Sequence, residues 1–596
     1  MQKILAEMGQ ILKMGRVYNL SEKKRNVGLA FELRKRHHDF QYDLESSKMQ
    51  FQTDVLVVGS GLAGLMSAIE AAKRGRLVTI IDQEGPQSIG GQAYWSLGGL
   101  FMIDTPEQRR VGIKDSKNLA YSDWMGSAQF NRAEDENPKL WAEKYIDFSA
   151  GPMRQLLRKK GLRWFPSIGW AERGGGQAGG HGNSVPRFHL TWGTGVGVVD
   201  PFIFEVKELI SRGKIKAKFR YCAKNLIMSD GEVKGISGDI LADDEALRGK
   251  STNRIVVSNF EIIAENTILC SGGIGGNFDL VKKYWPSKRI GKIPEFLISG
   301  VPDYVDGKIQ QRASEQGVSL INIDRMWHYT EGIRNWNSIW PNHGIRILSG
   351  PSPMWFDATG NRLPSPCMPG FDTLNTLKNI LKTGYSYSWL VLTQKIIEKE
   401  FVLSGSEQNP DFTSKSWIKV LKSRLGKGAP EAIEKFKKFG EDFVISDNLK
   451  DLVSGMNSKE KNAVISYTDI KKKILDRDMQ INNRFSKDAQ IMALYGARKY
   501  IGDRVLRTAK PHKLLDPRNG PLIAIRLNIL TRKSLGGIQT NTTGSALNIN
   551  GDVIHGLFAA GEVAGFGGGG YHGYNALEGT FLGGCIFSGL IAGQNA

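Results

Sequence analysis

The stretch that decides the fold runs from Thr53 to Asp82 and reads TDVLVVGSGLAGLMSAIEAAKRGRLVTIID. The apolar run at 54–58 predicts a strand that is buried on both faces. The Ala-rich segment from Leu62 to Lys73 predicts a helix, and a second apolar run ending at Asp82 predicts another strand. This strand, helix and strand order predicts an α/β fold with a parallel sheet.

Gly59, Gly61 and Gly64 give the spacing G-x-G-x-x-G between the first strand and the helix. The first glycine permits a tight turn, the second lets the backbone approach a pyrophosphate, and the third lets the helix pack closely on the strand. The free N–H groups at Leu62 and Ala63 and the positive end of the helix dipole then face the phosphates.

The end of the second strand supplies the acidic residue that completes this pattern. Asp82, followed by Gln83, stands where its carboxylate can accept a hydrogen bond from a ribose 2′-OH. A glycine-rich turn alone could be purely structural. Because the strand, the helix and the acid are all in place, the sequence predicts dinucleotide binding.

Length, cysteine content and hydropathy limit the class of protein. A chain of 596 residues is too long for one core and suggests two domains with additions. Its four cysteines lie far apart without a C-x-x-C, which argues against a disulfide framework, a zinc ribbon, an iron–sulfur cluster or an attached c-type haem. We therefore expect no metal and a cytoplasmic setting. No apolar run approaches the roughly 20 residues that span a bilayer, so no integral membrane span is expected.

The net charge of +20 is spread thinly and does not indicate a nucleic-acid-binding fold. One segment, 501–533, is markedly basic and includes Arg532 and Lys533. It is either a solvated face or a basic wall near an anionic ligand, since a run of charge alone is ambiguous.

Two further glycine-rich stretches and a Trp-rich region organise the rest. The loop GGQAYWSLGG at 90–99 and the strand end SGGIGGN at 271–277 are either plain loops or places where backbone contacts a flat ligand. From about 325 the chain is rich in Trp, and the stretch 376–510 is mainly helical, which predicts an inserted second domain. A final helix is predicted from Ala576 to Ala592. The Trp residues would suit a ring-like substrate, but a core role is favoured for most.

Together these pieces resemble the fumarate reductase/succinate dehydrogenase flavoprotein family, including the 3-ketosteroid Δ1-dehydrogenases and bacterial "FAD-binding dehydrogenases". The matching motifs, in family order, are GSGLAG with Asp82, GGQAYWSLGG, SVPRFH, ILCSGGIGGN, SLGGIQTN and GLFAAGEVAG with HGYNALEG. The resemblance covers residues 51–596. It implies a Rossmann-like FAD-binding domain formed by both ends of the chain, at 51–325 and 534–596, with an inserted α+β capping domain at 326–533. Residues 1–50 are expected to form a helical extension.

The resemblance also implies which residues hold FAD. The adenosine and pyrophosphate side is expected on the glycine motif, Asp82 and Gln83, and the ribityl chain on Glu562. The helix after Leu577 is expected to direct its N-terminus at the flavin, where reduced flavin is anionic. The remaining expected contacts are Gly90, Gly91, Gln92, Ser96, Gly98, Gly99, Gly272, Gly273, Gly561 and Ala576.

Departures from the family pattern affect the predicted chemistry. Succinate dehydrogenases attach FAD through a His in the region of Gln92, so FAD is expected to be non-covalent here. The family's H-G-x-N-R arginine is replaced by Ala576, and its H-H-T-M-G-G-like stretch by Arg532 and its neighbours. A dicarboxylate substrate is therefore disfavoured. Tyr571-His572-Gly573 resembles the Y-P-G of ketosteroid dehydrogenases, in which the Tyr helps to hold the substrate carbonyl.

The sequence thus predicts an FAD-dependent dehydrogenase that moves a hydride between flavin N5 and a carbon of an activated C–C bond. The expected reaction is α,β-desaturation of a ketone such as a 3-ketosteroid-like compound, passing electrons to an unidentified acceptor. The candidate catalytic residues are Tyr571, Tyr574, Arg346 and Arg532. Two alternatives stay open: an ene-reductase of a carboxylate that uses Arg346 and the basic segment, and a non-catalytic FAD-binding assembly protein.

Overall fold

The computed structural model describes residues 49–170, 172–175, 182–426, 428–460, 464–575 and 577–596. The predicted helical extension at 1–50 lies outside the described residues, except that Met49 and Gln50 open the first strand. The chain is a mixed helix-and-sheet fold, which confirms the predicted class at that level.

The strands, numbered in chain order, are β1 (Met49–Val58), β2 (Val78–Asp82), β3 (Gly99–Phe101), β4 (Trp164–Gly169), β5 (Phe188–Thr191), β6 (Ile215–Phe219), β7 (Tyr221–Ser229), β8 (Glu232–Leu241), β9 (Val256–Leu269), β10 (Ile298–Ser299), β11 (Leu320–Ile321), β12 (Met326–Arg334), β13 (Gly344–Leu348), β14 (Met354–Asp357), β15 (Tyr387–Thr393), β16 (Val402–Leu403), β17 (Phe443–Ser446), β18 (Leu522–Ser534), β19 (Gly537–Ile538), β20 (Ser545–Leu547) and β21 (Val553–Ala559).

The α-helices are α1 (Leu62–Lys73), α2 (Pro106–Arg110), α3 (Lys117–Ala128), α4 (Glu136–Ser149), α5 (Pro152–Lys159), α6 (Thr194–Ser211), α7 (Phe278–Lys283), α8 (Ser287–Ile290), α9 (Lys308–Glu315), α10 (Thr373–Leu381), α11 (Gln394–Glu400), α12 (Pro410–Thr413), α13 (Trp417–Leu425), α14 (Glu431–Phe439), α15 (Leu449–Ser458), α16 (Tyr467–Gln480), α17 (Ala489–Ala497) and α18 (Thr580–Asn595).

One eight-stranded sheet carries the glycine motif. Its order is β20-β21-β9-β1-β2-β6, and β8 and β7 continue from β9. The strands β21, β9, β1, β2 and β6 run parallel. Val55, Leu56 and Val57 of β1 are completely buried, as expected for a parallel strand covered on both faces. Strands from both ends of the chain therefore lie side by side, with their carboxyl ends at one edge.

The last helix, α18, packs on the first, α1, through glycines. A Cβ atom at Gly589 would lie 2.5 Å from the carbonyl oxygen of Ala63, and one at Gly593 would lie 2.3 Å from that of Ser67. The Ser67 hydroxyl donates a hydrogen bond to the Gly589 carbonyl oxygen over 3.1 Å. Only glycine permits this approach, so the end of the chain is fixed against the helix that follows the glycine turn.

A second eight-stranded sheet comes from the middle of the chain, in the order β14-β15-β18-β12-β13-β16, and β10 and β17 also pair with β18. The central strand β18 is strongly apolar, and its Ile523, Ala524, Ile525 and Leu527 are completely buried. This sheet also includes a strand from before residue 326, the predicted start of the capping domain, because Ile298 of β10 pairs with Leu530 of β18.

One helix has the boundaries predicted from the sequence, and another begins later than predicted. The helix α1 occupies the predicted range from Leu62 to Lys73. The last helix was expected from Ala576 but begins at Thr580, because Gly579 is left-handed with a φ of 89° and interrupts the helical geometry before that residue. The stretch 376–510 is mainly helical, as predicted, but it also holds β15, β16 and β17.

Two findings concern the wider class of protein. Among the described residues, no helix is both long enough and apolar enough to cross a membrane. All four cysteines, which lie in the described part of the chain, are free thiols.

Candidate functional site

A long cleft lies at the carboxyl edge of the parallel sheet. About 1700 Å³ of non-atom space lies inside it, a figure that includes open solvent at its mouth. Residues that follow β1, β2, β9 and β21 line it, together with the first turns of α1 and α18. The carboxyl ends of parallel strands are where open α/β sheets bind their ligands.

Most residues predicted to bind FAD line this long cleft. They are Gly59, Gly61, Leu62, Ala63, Asp82, Gln83, Gly91, Gln92, Ser96, Gly98, Gly99, Gly272, Gly561 and Glu562. Segments that are far apart in the sequence are therefore brought to one surface.

The other predicted cofactor residues are placed differently. Gly64 lies behind the glycine turn, where a Cβ atom would be 1.9 Å from the Gly59 carbonyl oxygen. Gly90 and Gly273 also stand behind the surface, the latter against Glu562. Leu577 lines a smaller cavity outside the long cleft, and its flavin contact stays a prediction. Ala576 lies outside the described residues.

The chemistry of the long cleft fits a dinucleotide. A Cβ atom at Gly61 would meet nothing within 4 Å, so the turn presents bare backbone to the space where a pyrophosphate would lie. Three buried polar atoms of lining residues, Ser271 Oγ, Tyr304 Oη and Arg532 Nε, have no hydrogen-bond partner within the described residues. Buried polar groups are normally satisfied, so these atoms favour a polar ligand.

Asp82 has a second role that the sequence did not reveal. Its Oδ2 accepts hydrogen bonds from the backbone N–H of Ser60 over 2.8 Å and from the Ser60 hydroxyl over 2.7 Å. Its Oδ1 accepts from the Glu84 N–H over 2.9 Å. The carboxylate therefore ties the glycine turn to the end of β2 while still lining the cleft. A ribose contact stays a prediction.

Glu562 is held at the bottom of the cleft by three neighbours. One carboxylate oxygen accepts from the Ser534 N–H over 2.9 Å, and the other accepts from the Gln92 amide over 2.9 Å. The Lys533 ammonium lies 3.8 Å from the same carboxylate. Burial lowers the pKa of Lys533, and Glu562 opposes that change. The position predicted for the ribityl chain thus carries a fixed, mostly buried ion pair.

A second network surrounds Arg346, where β12, β13 and the segment before α18 meet. The guanidinium Nη1 of Arg346 lies 2.5 Å from Glu578 Oε1, and its Nε lies 3.3 Å from Glu331 Oε2. The centre of its charge is 4.1 Å from the ring centroid of Tyr329. Tyr329, Arg346 and Glu578 all line the long cleft. We call Tyr329, Glu331, Arg346 and Glu578 the Arg346 cluster.

Burial controls the charge states in the Arg346 cluster. It raises the pKa of the Tyr329 phenol well above its ordinary value, and the Glu578 carboxylate adds to the rise while Arg346 opposes it. Burial also raises the pKa of Glu331, against the effect of Arg346. For Arg346 burial acts to lower the pKa, but Glu578 and Glu331 more than offset it and the pKa is raised. At neutral pH the cluster therefore offers a protonated phenol beside a charged guanidinium.

An apolar cavity adjoins the long cleft, with about 1340 Å³ of non-atom space when open solvent is included. The two share Leu97, Phe188, Arg346 and Leu348 as wall residues. The apolar lining of the second cavity includes Phe165, Trp170, Leu190, Phe401, Val402, Phe412 and Leu506. The Arg346 side chain therefore stands where the long cleft and an apolar space meet.

The four predicted catalytic residues separate into two pairs. Arg346 and Arg532 line the long cleft. Tyr571 does not reach it: the side chain is completely buried, its ring stacks on Tyr145 at 5.3 Å, and its hydroxyl donates to the Thr580 carbonyl oxygen over 3.2 Å. Although glycines flank Tyr571 in the sequence, its ring packs against Trp124 of α3 and Tyr145 of α4.

Tyr574 is likewise placed in packing, outside the lining of the long cleft and of the apolar cavity in the described structure. Its ring lies 3.8 Å from the guanidinium of Arg325 and 4.2 Å from that of Arg289. It also belongs to a small hydrophobic core beneath α7 and α10. Cation–π contacts of this kind stabilise packing, so these contacts favour a structural role for Tyr574, and its catalytic role stays a prediction.

Tyr329, Glu331 and Glu578 were missed by the sequence analysis. One signal was present: Tyr329 and Glu331 are two positions apart on a strand and therefore share a face. Glu578 could not be found in this way, because 232 positions separate it from Arg346 in the chain.

The Trp-rich region and the basic segment can now be assigned. Trp327, Trp340, Trp355 and Trp389 are each 4% exposed or less, so the favoured core role holds for them. In the basic segment 501–533, Arg532 and Lys533 line the long cleft and Arg507 lines the apolar cavity, whereas Arg518 is exposed and paired with Asp516. The solvated-face interpretation holds for Arg518, whereas the role of the cavity-lining residues toward an anionic ligand stays a prediction.

Within the part of the chain that the structure describes, no group of three or more His, Cys, Asp or Glu residues is placed to hold a metal ion.

Comparison with known proteins places the chain in a family. Residues 54–582 match the family described as "FAD binding domain". The chain is 52% identical over 543 residues to a "KsdD-like steroid dehydrogenase" of Mycobacterium tuberculosis, covering 91% of this chain and 95% of that protein. A protein of the same description from Mycolicibacterium smegmatis is 52% identical over 529 residues, covering 89% and 96%.

A solved structure shows the same fold. The 3-ketosteroid Δ1-dehydrogenase from Sterolibacterium denitrificans, in complex with 1,4-androstadiene-3,17-dione, aligns with a TM-score of 0.62 at 15% identity, covering 91% of this chain and 98% of that one. The family match and the relatives at 52% identity show that the chain belongs to the FAD-binding domain family. FAD is its cofactor, and it is an FAD-dependent dehydrogenase. The family resemblance seen in the sequence is confirmed.

Proposed function

We propose that this FAD-dependent dehydrogenase desaturates an apolar ring ketone, such as a 3-ketosteroid-like compound, next to its carbonyl group. The observation that carries the proposal is the position of the Arg346 cluster, between the long cleft and the apolar cavity. The steroid dehydrogenase names of the relatives at 52% identity support the substrate class.

The two sheets have distinct roles in this proposal. The parallel sheet, with strands from 51–325 and 534–596, would form the Rossmann-like FAD-binding domain. The second sheet and its helices, centred on 326–533, would form the cap over the flavin. Support comes from the side-by-side pairing of β21 and β9 in the parallel sheet and from the origin of Tyr329 and Arg346 in the second sheet.

Particular residues would hold FAD along the long cleft. The pyrophosphate would lie against Gly61 and the opening of α1, and the adenosine ribose near Asp82. The flavin would lie toward Gln92 and Glu562, with the N-terminus of α18 facing its electron-rich edge. When bound, FAD supplies the acceptor for the hydride that leaves the substrate.

Residues of this chain would accept the proton and stabilise the negative charge on the carbonyl oxygen. The C–H bond next to the ketone breaks and its proton passes to the Glu578 carboxylate, while the bonding electrons form the enolate. The Tyr329 hydroxyl and the Arg346 guanidinium donate to the negative enolate oxygen. The carbonyl re-forms as the neighbouring carbon loses its hydride and the new C=C bond closes. The walls of the apolar cavity exclude water from this site.

The carboxylate-reducing alternative finds less support. Arg346 is already balanced by Glu331 and Glu578, so it is a poor clamp for a further carboxylate. A non-catalytic role would leave the Arg346 cluster without a purpose. The electron acceptor, and a cytoplasmic location suggested by four free cysteines, belong to the proposal and carry no residue assignment.

FAD is expected to be non-covalent, because the residue beside the flavin position is Gln92, whose amide forms no flavin bond. Acid precipitation of the purified protein should release all of the yellow colour into the supernatant. Flavin fluorescence retained by the washed pellet would contradict this assignment.

The substrate class is tested by anaerobic titration of the oxidised protein with 3-ketosteroids, acyl compounds and succinate. Bleaching of the flavin by a ketosteroid, with formation of the matching unsaturated ketone, is the expected result. Bleaching by succinate instead would support the carboxylate alternative, and bleaching by none of them would support a non-catalytic role.

A further inference from the structure

The helix α13 exposes a cluster of large apolar side chains. Trp417 is 49% exposed, Ile418 is 80% exposed and Leu421 is 53% exposed. At 100° per residue these three positions fall within about 100° of one another around the helix axis. They form a continuous apolar stripe, and Val420, about 60° beyond Trp417 on the other side from Ile418, is buried at 3% exposure.

Lysines lie beyond one edge of this stripe. Lys422 is about 40° past Ile418 around the helix axis and Lys419 about 100° past it, and both are exposed, so the helix presents an apolar stripe with one basic border. A short helix that exposes Trp and aliphatic side chains beside lysines has the character of a helix lying in a membrane interface. Trp prefers this interface because its indole is both apolar and polar.

The apolar stripe on α13 is continuous with the apolar cavity. The Trp417 ring stacks on Trp192 at 4.5 Å and on Phe165 at 5.4 Å. Phe165 also packs edge-on against Phe412 at 5.1 Å. Phe165 and Phe412 both line the apolar cavity. One aromatic layer therefore separates the exposed surface of α13 from the cavity interior.

We propose that α13 seats this protein on the surface of a bilayer that contains anionic lipid, with Trp417, Ile418 and Leu421 in the interface and Lys419 and Lys422 on the headgroups. Charge complementarity selects the occupant, since lysines bordering an apolar stripe match anionic headgroups. The surface would bring the aromatic wall of the apolar cavity close to the phase in which an apolar ketone dissolves. That delivery role rests on the proposed function, whereas the docking itself rests on α13 alone.

The test is co-sedimentation of the FAD-loaded protein with vesicles of phosphatidylcholine, alone or with about one third phosphatidylglycerol. We expect binding to the anionic vesicles, weakened by salt, and little binding to the neutral ones. The triple change W417S, I418S and L421S should weaken the partition by about tenfold or more, because three interfacial side chains are lost. K419Q with K422Q should weaken binding to anionic vesicles alone.

The matched control is Ile549→Ser, which removes a side chain that is 79% exposed on a different face, in the loop between β20 and β21. It should bind vesicles like the parent protein. No binding by the parent, unchanged binding by the triple variant, or an equal loss in the control would each overturn the proposal and leave α13 available to a protein partner.

Failure of docking and failure of the proposed function can be told apart. The triple variant should keep its flavin and, with ketone supplied in solution, should bleach at the parent rate. If parent and variant both fail to bleach while only the parent binds vesicles, docking stands and the proposed substrate class fails.

Discussion

Replacement of Tyr329 by Phe is expected to slow flavin reduction by a ketone substrate on the order of 100-fold or more. The change removes the hydroxyl that we place on the enolate oxygen and keeps the ring that packs at 4.1 Å from the Arg346 guanidinium. FAD content and melting temperature should therefore stay close to those of the parent. Anaerobic stopped-flow at the oxidised flavin band measures the rate.

Tyr571→Phe is the matched control. It also removes one buried phenolic hydroxyl, which donates to Thr580 away from the lining of the cleft. The lost hydrogen bond should lower the free energy of unfolding by about 1 kcal/mol, while the reduction rate stays unchanged. Equal rates for Tyr329→Phe and the parent would remove Tyr329 from the mechanism.

Replacement of Arg346 by Leu is expected to damage both stability and rate. It leaves the buried carboxylates of Glu331 and Glu578 without their cation, and breaking a buried pair in this way costs about 3–5 kcal/mol in the free energy of unfolding. The reduction rate should fall together with the stability, because a donor to the enolate oxygen is lost. Denaturant unfolding and stopped-flow reduction measure the two effects.

A double variant separates these effects. Adding E331Q to R346L removes one of the two unbalanced charges and keeps Glu578, the proposed base, so it should recover part of the lost stability without recovering the rate. If the double variant regained both, Arg346 would be a structural residue only. If R346L kept the parent rate, the enolate contact assigned to Arg346 would be wrong.

The nucleotide-binding part of the fold was predictable because residues close together in the sequence determine its strand, turn and helix. The strand at 54–58, the glycine turn and the helix from Leu62 follow one another in a single stretch, and each has a short-range signature. The structure places Gly61 and Asp82 on one cleft, as that pattern indicated. Glycine also decided the largest boundary error, since left-handed Gly579 delays the last helix.

The reaction site was less predictable because it is assembled from distant segments. Arg346 was identified as a candidate, but its partners Glu331 and Glu578 reach it by tertiary contacts. Tyr571 was favoured because of its motif, yet the aromatic side chains of α3 and α4 bury it. Sequence spacing does not show which of two tyrosines a core will enclose.

The most direct test of the central claim is anaerobic reduction of the purified protein by a 3-ketosteroid, followed at the flavin band with product identification. The account predicts bleaching, with stoichiometric formation of a ketone unsaturated next to its carbonyl group, and no bleaching by succinate. A flavin that stays oxidised with every ketosteroid and is bleached by succinate would contradict it.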